Sequence, residues 1–393
     1  PPACGSTPAA CLGGGMQVRS LVILGSGWHP HLFREEARAL LGPIEVLHKR
    51  MAFLSQSDDV IDRISGASLI DEALNSTSRL WVYNQEITPD EVASHVAEWS
   101  KSFLPEGTFS IRARKLGSGV GSLSRREIEV MTGAKIFSEK KPVNLENPDH
   151  EVVVVLAGPD NSPSQWDERE SGELILWGLR DPASIGTYSG LSPTERPFFK
   201  PVTLDPRLAR LLVCLSFSRG KPSVIVDPFC GTGGIAIEAS NLGLQVLASD
   251  LDSRMVEGTR TNMEWVSGKS EYTVKRCPAN KIHELWGNIP GCSFVFDPPY
   301  GRNAWASEDG LDLLLGTLAS AKAMSPNGTV CTMLPSSPKA LHGPISDSLQ
   351  VMGMDWGPLK ERIIETGWEV SVCSPVRVHK SLSRLVVLCH PAD

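Results

Sequence analysis

Residues 223–234 read SVIVDPFCGTGG, and the order of residue types in that stretch decides the fold. Val224 to Val226 is a short β-branched run, the mark of a strand covered on both faces. Asp227-Pro228-Phe229-Cys230 interrupts it. Gly231 and Gly233 then let the chain turn with its backbone close to a ligand, where side chains would intrude. GIAIEASNLG, residues 234–243, has the composition of a helix stopped by Gly243. Strand, glycine turn and helix in that order form one βα unit.

The pattern repeats downstream. QVLASD (245–250), SFVFD (293–297) and GTVCTML (328–334) read as strands, with helices over 253–266 and 311–324. Alternating strands and helices imply a parallel sheet covered on both sides. The end differs: WEVSVCSPVRVHK (368–380) and SRLVVLC (383–389) are too close for a crossover and must pair antiparallel. Upstream, residues 181–201 carry Pro182, Gly186, Gly190, Pro193, Pro197 and Pro201, the composition of a connector. Before it the chain reads as two α+β modules. The first has strands near 18–24, 44–47 and 51–55 and helices over 33–42 and 58–64. The second starts near Ser76. It has a helix over 88–103, with Thr88 and Glu91 at capping-box spacing, strands from Phe109, Glu151 and Glu173, and a helix from Ser124.

Two constellations carry chemistry. In the first, Asp250 ends the strand that follows the glycine turn, where its carboxylate can accept from both hydroxyls of a ribose. Residues 231–236 also satisfy the G-x-G-x-x-A fingerprint of dinucleotide sites. Asp227 weighs against that reading, because a carboxylate in the pocket repels pyrophosphate and attracts a sulfonium or an ammonium group. No G-K-[ST] lysine follows the glycines, which argues against a phosphate-cradling loop. The expected ligand is S-adenosyl-L-methionine.

The second constellation is SFVFDPPYG, residues 293–301, whose Asp297 lies 70 positions beyond Asp227. Both acids then sit at carboxyl ends of strands in one sheet, the edge where ligands bind. The exocyclic amine of a nucleobase is a poor nucleophile, since its lone pair is delocalised into the ring. Asp297 and the carbonyl of Pro298 can accept the two amino hydrogens and aim that lone pair at a methyl group. Tyr300 offers a stacking face for a flipped base. Pro298 and Pro299 stiffen the turn that positions them.

The 393 residues allow two or three domains, and 41% hydrophobic with 21% charged residues excludes a disordered or fibrous chain. No apolar run approaches the ~20 residues that span a bilayer, so no membrane partner is expected. The nine cysteines form no C-x-x-C pair, which argues against a zinc module and suits reduced thiols in a cytoplasm. No metal is expected, and the nine histidines form no triad-like group. Residues 1–15, PPACGSTPAACLGGG, read as a leader or tag ahead of Met16. Net charge is −7, yet residues 101–141 hold nine basic residues against four acidic ones. Such a patch can steer a polyanion to one face of an acidic protein.

On DPFCGTGG, Asp250 and DPPY, residues 201–393 resemble a class I S-adenosylmethionine-dependent methyltransferase of the amino-methylating kind. With RPFFKPVTLDPRLARLLVCLS from Arg196 and the order that follows it, the chain is similar to the archaeal and eukaryotic tRNA (guanine-10-N2) methyltransferases. The resemblance implies a Rossmann-like α/β domain over 201–393, with a mostly parallel seven-stranded sheet closed by an antiparallel hairpin. It implies a ferredoxin-like domain over 16–75, a THUMP RNA-binding domain over 76–183 and a linker over 184–200. The THUMP likeness rests on FSIRARKLGSGVGSLSRREIEVMTGAKIF and VNLENPDHEVVVVLAG. Asp227, Pro228, Gly231, Gly233, Asp250, Leu251 and Ala279 are the implied cofactor residues, and Asp297, Pro298 and Tyr300 the catalytic ones. Arg112, Arg114, Lys115, Arg125, Arg126, Lys135, Lys140 and Lys141 are the implied RNA contacts, positioning tRNA through its phosphates. Some relatives also use a small activator subunit.

The chain departs from the family pattern at one position. Pro278 stands where such enzymes carry an acid for the adenine amino group, leaving the Ala279 amide and apolar packing to hold the ring. Three alternatives stay open: a guanine at another tRNA or rRNA position, adenine N6 of DNA, which DPPY also serves, and a tRNA-binding protein with weak catalysis.

Overall fold

The computed structural model describes residues 20–55, 59–83, 86–159, 172–184, 192–201, 203–266, 270–299, 308–341, 345–379 and 382–392. Its first half comprises β1 (Ser20–Gly25), α1 (Pro30–Leu41), β2 (Glu45–His48), β3 (Met51–Ser55), α2 (Val60–Ile64), β4 (Ile70–Val82), α3 (Pro89–Phe103), β5 (Phe109–Leu116), α4 (Arg125–Ile136), β6 (His150–Ala157) and β7 (Glu173–Arg180). The seven strands form one sheet in the order β2-β3-β1-β4-β7-β6-β5, antiparallel throughout except for β5 beside β6. The capping box at α3 is present: Glu91 N donates to Thr88 Oγ1 at 3.3 Å, and Thr88 N donates to Glu91 Oε2 at 2.8 Å.

β4 runs across the expected boundary between residues 75 and 76. It pairs with β1 from Ile70 to Asn75 and with β7 from Leu74 to Val82. The register shifts between Asn75 and Ser78, and Ser76 has a φ of 53°, the mark of a bulge. The two modules are therefore halves of one sheet, with β4 continuing from one to the other through the bulge at Ser76.

The second half adds α5 (Pro206–Leu215), β8 (Val224–Asp227), α6 (Gly234–Asn241), β9 (Gln245–Asp250), α7 (Ser253–Trp265), β10 (Tyr272–Arg276), α8 (Ile282–Trp286), β11 (Cys292–Phe296), α9 (Glu308–Met324), β12 (Val330–Ser336), β13 (Gln350–Val351), β14 (Met354–Asp355), α10 (Trp356–Glu365), β15 (Trp368–His379) and β16 (Leu382–Pro391). Strands β10-β9-β8-β11-β12 are parallel neighbours. β16 pairs antiparallel with both β12 and β15, giving the expected terminal hairpin. A short β13–β14 hairpin beside β12 brings the sheet to nine strands. The chain leaves β8 on the β9 side and returns on the β11 side, so a crevice opens at the carboxyl ends of β8 and β11.

α5 joins the two halves. Asp205 caps it by accepting from Arg207 N and Leu208 N, Pro206 occupies its first turn, and Leu208 to Leu215 are all buried. A helix buried on nearly every side needs partners on nearly every side. One core accordingly contains Leu32, Phe33 and Leu40 of α1 together with Leu208, Leu212 and Leu215 of α5. Buried polar groups lock the same junction. Glu36 holds the Ser68 and Leu69 amides at 2.6 and 2.7 Å, Ser68 Oγ donates across to the Arg207 carbonyl at 2.8 Å, and Arg210 donates to both Glu238 Oε2 at 2.9 Å and the Gly66 carbonyl at 3.0 Å. Among the described residues no helix is long and apolar enough to cross a membrane.

Candidate active site

Three carboxylates converge at one sheet edge. Asp227 ends β8, Asp250 ends β9, and Asp297 directly follows β11. Asp227 pairs in register with Ala248, and Val226 with Phe294, so Asp250 and Asp297 flank Asp227 on the neighbouring strands, each two residues beyond its level. Asp227 is 1% exposed and accepts from Phe229 N at 3.1 Å. Burial, and then the charges of Asp250 and Asp297, push its carboxyl well above the usual range. Its surroundings favour a cationic ligand group over an anionic one.

The glycine turn is built around Asp250. Gly231 N donates to Asp250 Oδ2 at 3.0 Å and Asp252 N to Oδ1 at 2.9 Å, which fixes the carboxylate. Gly231 has φ +52° and Gly233 φ +82°, a region that side chains disfavour, and a Cβ on Gly233 would stand 3.0 Å from Thr259 Cγ2. Two α7 side chains hold the turn from behind. Thr259 Oγ1 donates to the Gly231 carbonyl at 2.9 Å, and Asn262 Nδ2 to the Thr232 carbonyl at 2.8 Å. Neither residue was evident from the sequence, where polar groups on a helix resemble a solvated face.

A cleft of about 1160 Å³ opens over these residues. Leu251, Met255, Pro278 and Ala279 give it an apolar wall beside Asp250, and Pro228, Gly231, Asp297 and Pro298 line it further along. Asp227 lines a smaller recess that shares Phe229, Gly231 and Asp297 with the cleft. A ribose-competent carboxylate, an apolar seat for a purine and a buried acid for positive charge fit S-adenosyl-L-methionine. Pro278 lines the cleft beside Ala279, Leu251 and Met255.

Arg384 of β16 was not anticipated. Its Nη1 lies 2.9 Å from Asp297 Oδ2, with both side chains mostly buried. Lys200, Arg207 and Arg377 line the same cleft. Tyr300 lies outside the described residues. Phe198 is an anchor: a Cβ on Gly258 of α7 would collide with its ring at 2.1 Å, and Asn262 bonds both its N–H and its carbonyl. Neither Phe198 nor Phe199 lines the cleft.

The eight basic residues of the first half do not form a uniform set. Arg114 pairs with buried Glu72 at 2.6 Å, Lys135 with Asp90 at 2.9 Å and Lys140 with Glu106 at 2.7 Å. Arg112 donates to the Leu145 carbonyl, and Lys141 to that of Ser100. Lys115, Arg125 and Arg126 are exposed, with no ion pair among the described residues.

A switch-point crevice in a parallel sheet, with Asp227, Asp250 and Asp297 at three neighbouring strand ends and an Asp-Pro-Pro turn beside the glycine turn, is the arrangement of a class I S-adenosylmethionine-dependent methyltransferase. Residues 193–351 match the family model described as RMKL-like, methyltransferase domain. The tRNA (guanine(10)-N2)-dimethyltransferase of Methanothermobacter thermautotrophicus is 32% identical over 80% of this chain and 88% of its own. That of Pyrococcus abyssi is 31% identical over 65% and 71%. The chain belongs to the tRNA (guanine(10)-N2)-methyltransferase family. Among solved structures, TrmN from Thermus thermophilus is 20% identical, covering 95% of this chain and 99% of that one with a TM-score of 0.49.

Proposed function

We propose that the chain methylates the exocyclic N2 amine of a guanine in tRNA, at position 10 as in the names of its relatives, giving N2-methyl- or N2,N2-dimethylguanosine. The observation that carries this is the placement of Asp297 and Pro298 in the same cleft as Asp250, Leu251 and Ala279. S-adenosyl-L-methionine, when bound, supplies a methyl group on a sulfonium. Asp250 takes the ribose hydroxyls, with its orientation set by the Gly231 and Asp252 amides. Asp297 and the Pro298 carbonyl accept the two amine hydrogens and turn the nitrogen lone pair toward the methyl carbon. The Arg384 guanidinium holds the Asp297 carboxylate in one orientation. A neutral aromatic amine need not ionise before attack, so Asp297 takes up the proton after the new C–N bond has formed.

In this proposal residues 76–183 act as the THUMP unit. The parallel β5–β6 pair and the exposed Lys115, Arg125 and Arg126 support that assignment. These cations grip tRNA phosphates and set the reach to the target base. The setting is cytoplasmic, and a small activator subunit belongs among the partners to be tested.

The test is incubation with labelled cofactor and unmodified tRNA, followed by nucleoside analysis and mapping. Label on guanine N2, lost in Asp297→Ala while cofactor binding persists, is the expected result. Label appearing on DNA adenine, or an active Asp297→Ala enzyme, overturns the reading.

A further inference from the structure

Among the described residues that line the catalytic cleft, Lys200 comes from the connector and Trp28 alone from the N-terminal half of the chain. It sits in the β1–α1 loop, and its side chain is 45% exposed. The His29 ring meets the indole edge-on, with centroids 5.7 Å apart, and the indole lines the cleft. The loop beneath it is firmly built. Ser26 N donates to the Leu69 carbonyl at 2.8 Å, and Trp28 N donates to Ser26 Oγ at 3.3 Å. Arg50 Nε donates to the Gly25 carbonyl at 3.0 Å. A Cβ on Gly25 would strike the Phe33 ring at 2.3 Å, so α1 closes tightly on β1.

The loop is also tied across to the catalytic sheet. His29 Nε2 lies 2.9 Å from the Pro375 carbonyl, and His31 Nδ1 lies 3.0 Å from Ser374 Oγ, both on β15. With the shared α1–α5 core, these bonds hold the indole against the methyltransferase half instead of letting it swing with a loop. The cleft it joins is lined by the cations Lys200, Arg207 and Arg377, with Arg384 committed to Asp297, and by the acids Asp205, Asp250 and Asp297. The adenosine seat of Leu251, Met255, Pro278 and Ala279 already has its apolar surface. An exposed indole among phosphate-compatible cations matches the way single-stranded nucleic acid is held, by bases stacked on aromatic faces and a backbone tracked by positive charge.

We propose that Trp28 is a substrate-binding residue, whose indole stacks on a nucleobase of the RNA strand that delivers the target guanine to Asp297. The catalytic site is then completed by the N-terminal half, whose docking presents a base platform as well as a grip on distant tRNA. This rests on the tRNA-methyltransferase reading above.

The experiment compares the full chain with Trp28→Ala, Trp28→Leu and Trp28→Phe, using unmodified tRNA transcript and S-adenosyl-L-methionine. Base–aromatic stacking predicts a fall in kcat/KM for tRNA of roughly 5- to 100-fold in the alanine and leucine variants. The phenylalanine variant should recover most of it. Cofactor Kd and Tm should stay at wild-type values, and the salt dependence of tRNA binding should keep its slope, since no phosphate contact is removed. Wild-type kcat/KM in Trp28→Ala, a leucine variant as active as the phenylalanine one, or a loss of cofactor affinity overturns the proposal. An unmutated enzyme inert on tRNA overturns the functional reading and this proposal with it. An active wild type beside a fully active Trp28→Ala overturns this one alone.

Discussion

Arg384 Nη1 stands 2.9 Å from Asp297 Oδ2, so the carboxylate assigned to the substrate amine is already paired with a cation from the C-terminal hairpin. Each partner is mostly buried, and removing one of such a pair leaves the other charge uncompensated. Arg384→Met is expected to lower kcat by about 100-fold through loss of carboxylate alignment, with cofactor Kd unchanged. Arg384→Lys should fall between. The pair acts as a unit, so Asp297→Asn/Arg384→Met should be no slower than Asp297→Asn alone. Single-turnover kinetics across the four proteins measures this coupling, and additive losses would separate Arg384 from Asp297.

The junction between the halves rests on a second buried pair. Arg210 reaches Glu238, itself 1% exposed, and the Gly66 carbonyl beyond α2. Arg210→Met should cost about 3–5 kcal/mol, because Glu238 then lies buried without its cation. Making Arg210→Met/Glu238→Leu removes the stranded charge and should recover most of that loss. Urea unfolding of the full chain reads both values. A double variant as unstable as the single one would show that packing, not charge, dominates this site.

Acid should loosen the Trp28 loop through His31. Burial, reinforced by Arg34, His29 and Arg38, holds its imidazole down to about 3, against an ordinary value near 6.5. The folded state therefore binds fewer protons than the unfolded state between those values, and stability rises with pH across that window. Lowering the pH from 7.5 to 5 should cost about 2 kcal/mol from this residue. Glu36 works in the opposite sense, since burial raises its carboxyl to about 7 and its contribution weakens as pH climbs. Glu36 is common to wild type and His31→Asn, so the difference between their pH profiles isolates the histidine. The variant should lose less stability on acidification, as followed by denaturant melts at the two pH values. Parallel profiles would mean that His31 is protonated in the folded protein.

Much of the site was legible because its signals are local. Asp227, Gly231, Gly233, Asp250, Asp297 and Pro298 lie at the ends of apolar strands or in the short turns that follow them, where residue type and position suffice to place them at one sheet edge. Arg384 and Trp28 were not legible, since each reaches the cleft only through tertiary packing. An arginine in SRLVVLC reads as an edge charge, and a tryptophan between Gly27 and His29 reads as a loop residue. β4 was hidden for a different reason. Its centre, NSTSR, is polar and breaks the two-residue alternation, because the strand changes partners at the Ser76 bulge. That one strand converts two expected modules into a continuous sheet.

The basic surface of the first half divides by the same physical criterion, and the division predicts two different phenotypes. Lys115, Arg125 and Arg126 are exposed without an ion pair among the described residues, which leaves their charge available to phosphates. Arg114 instead neutralises Glu72, a carboxylate 2% exposed that also binds Arg180 at 2.9 Å. Replacing Lys115, Arg125 and Arg126 together with alanine should weaken tRNA binding and reduce the slope of log K against log salt by about 2–3. Tm, and kcat at saturating tRNA, should hold at wild-type values. Arg114→Ala should show the reverse, a lowered Tm with a smaller change in salt slope, because its loss strips a partner from a buried acid. Fluorescence anisotropy with labelled tRNA over a salt series, paired with thermal melts, distinguishes the two. An unchanged slope in the triple variant would place the tRNA-gripping surface elsewhere on the molecule.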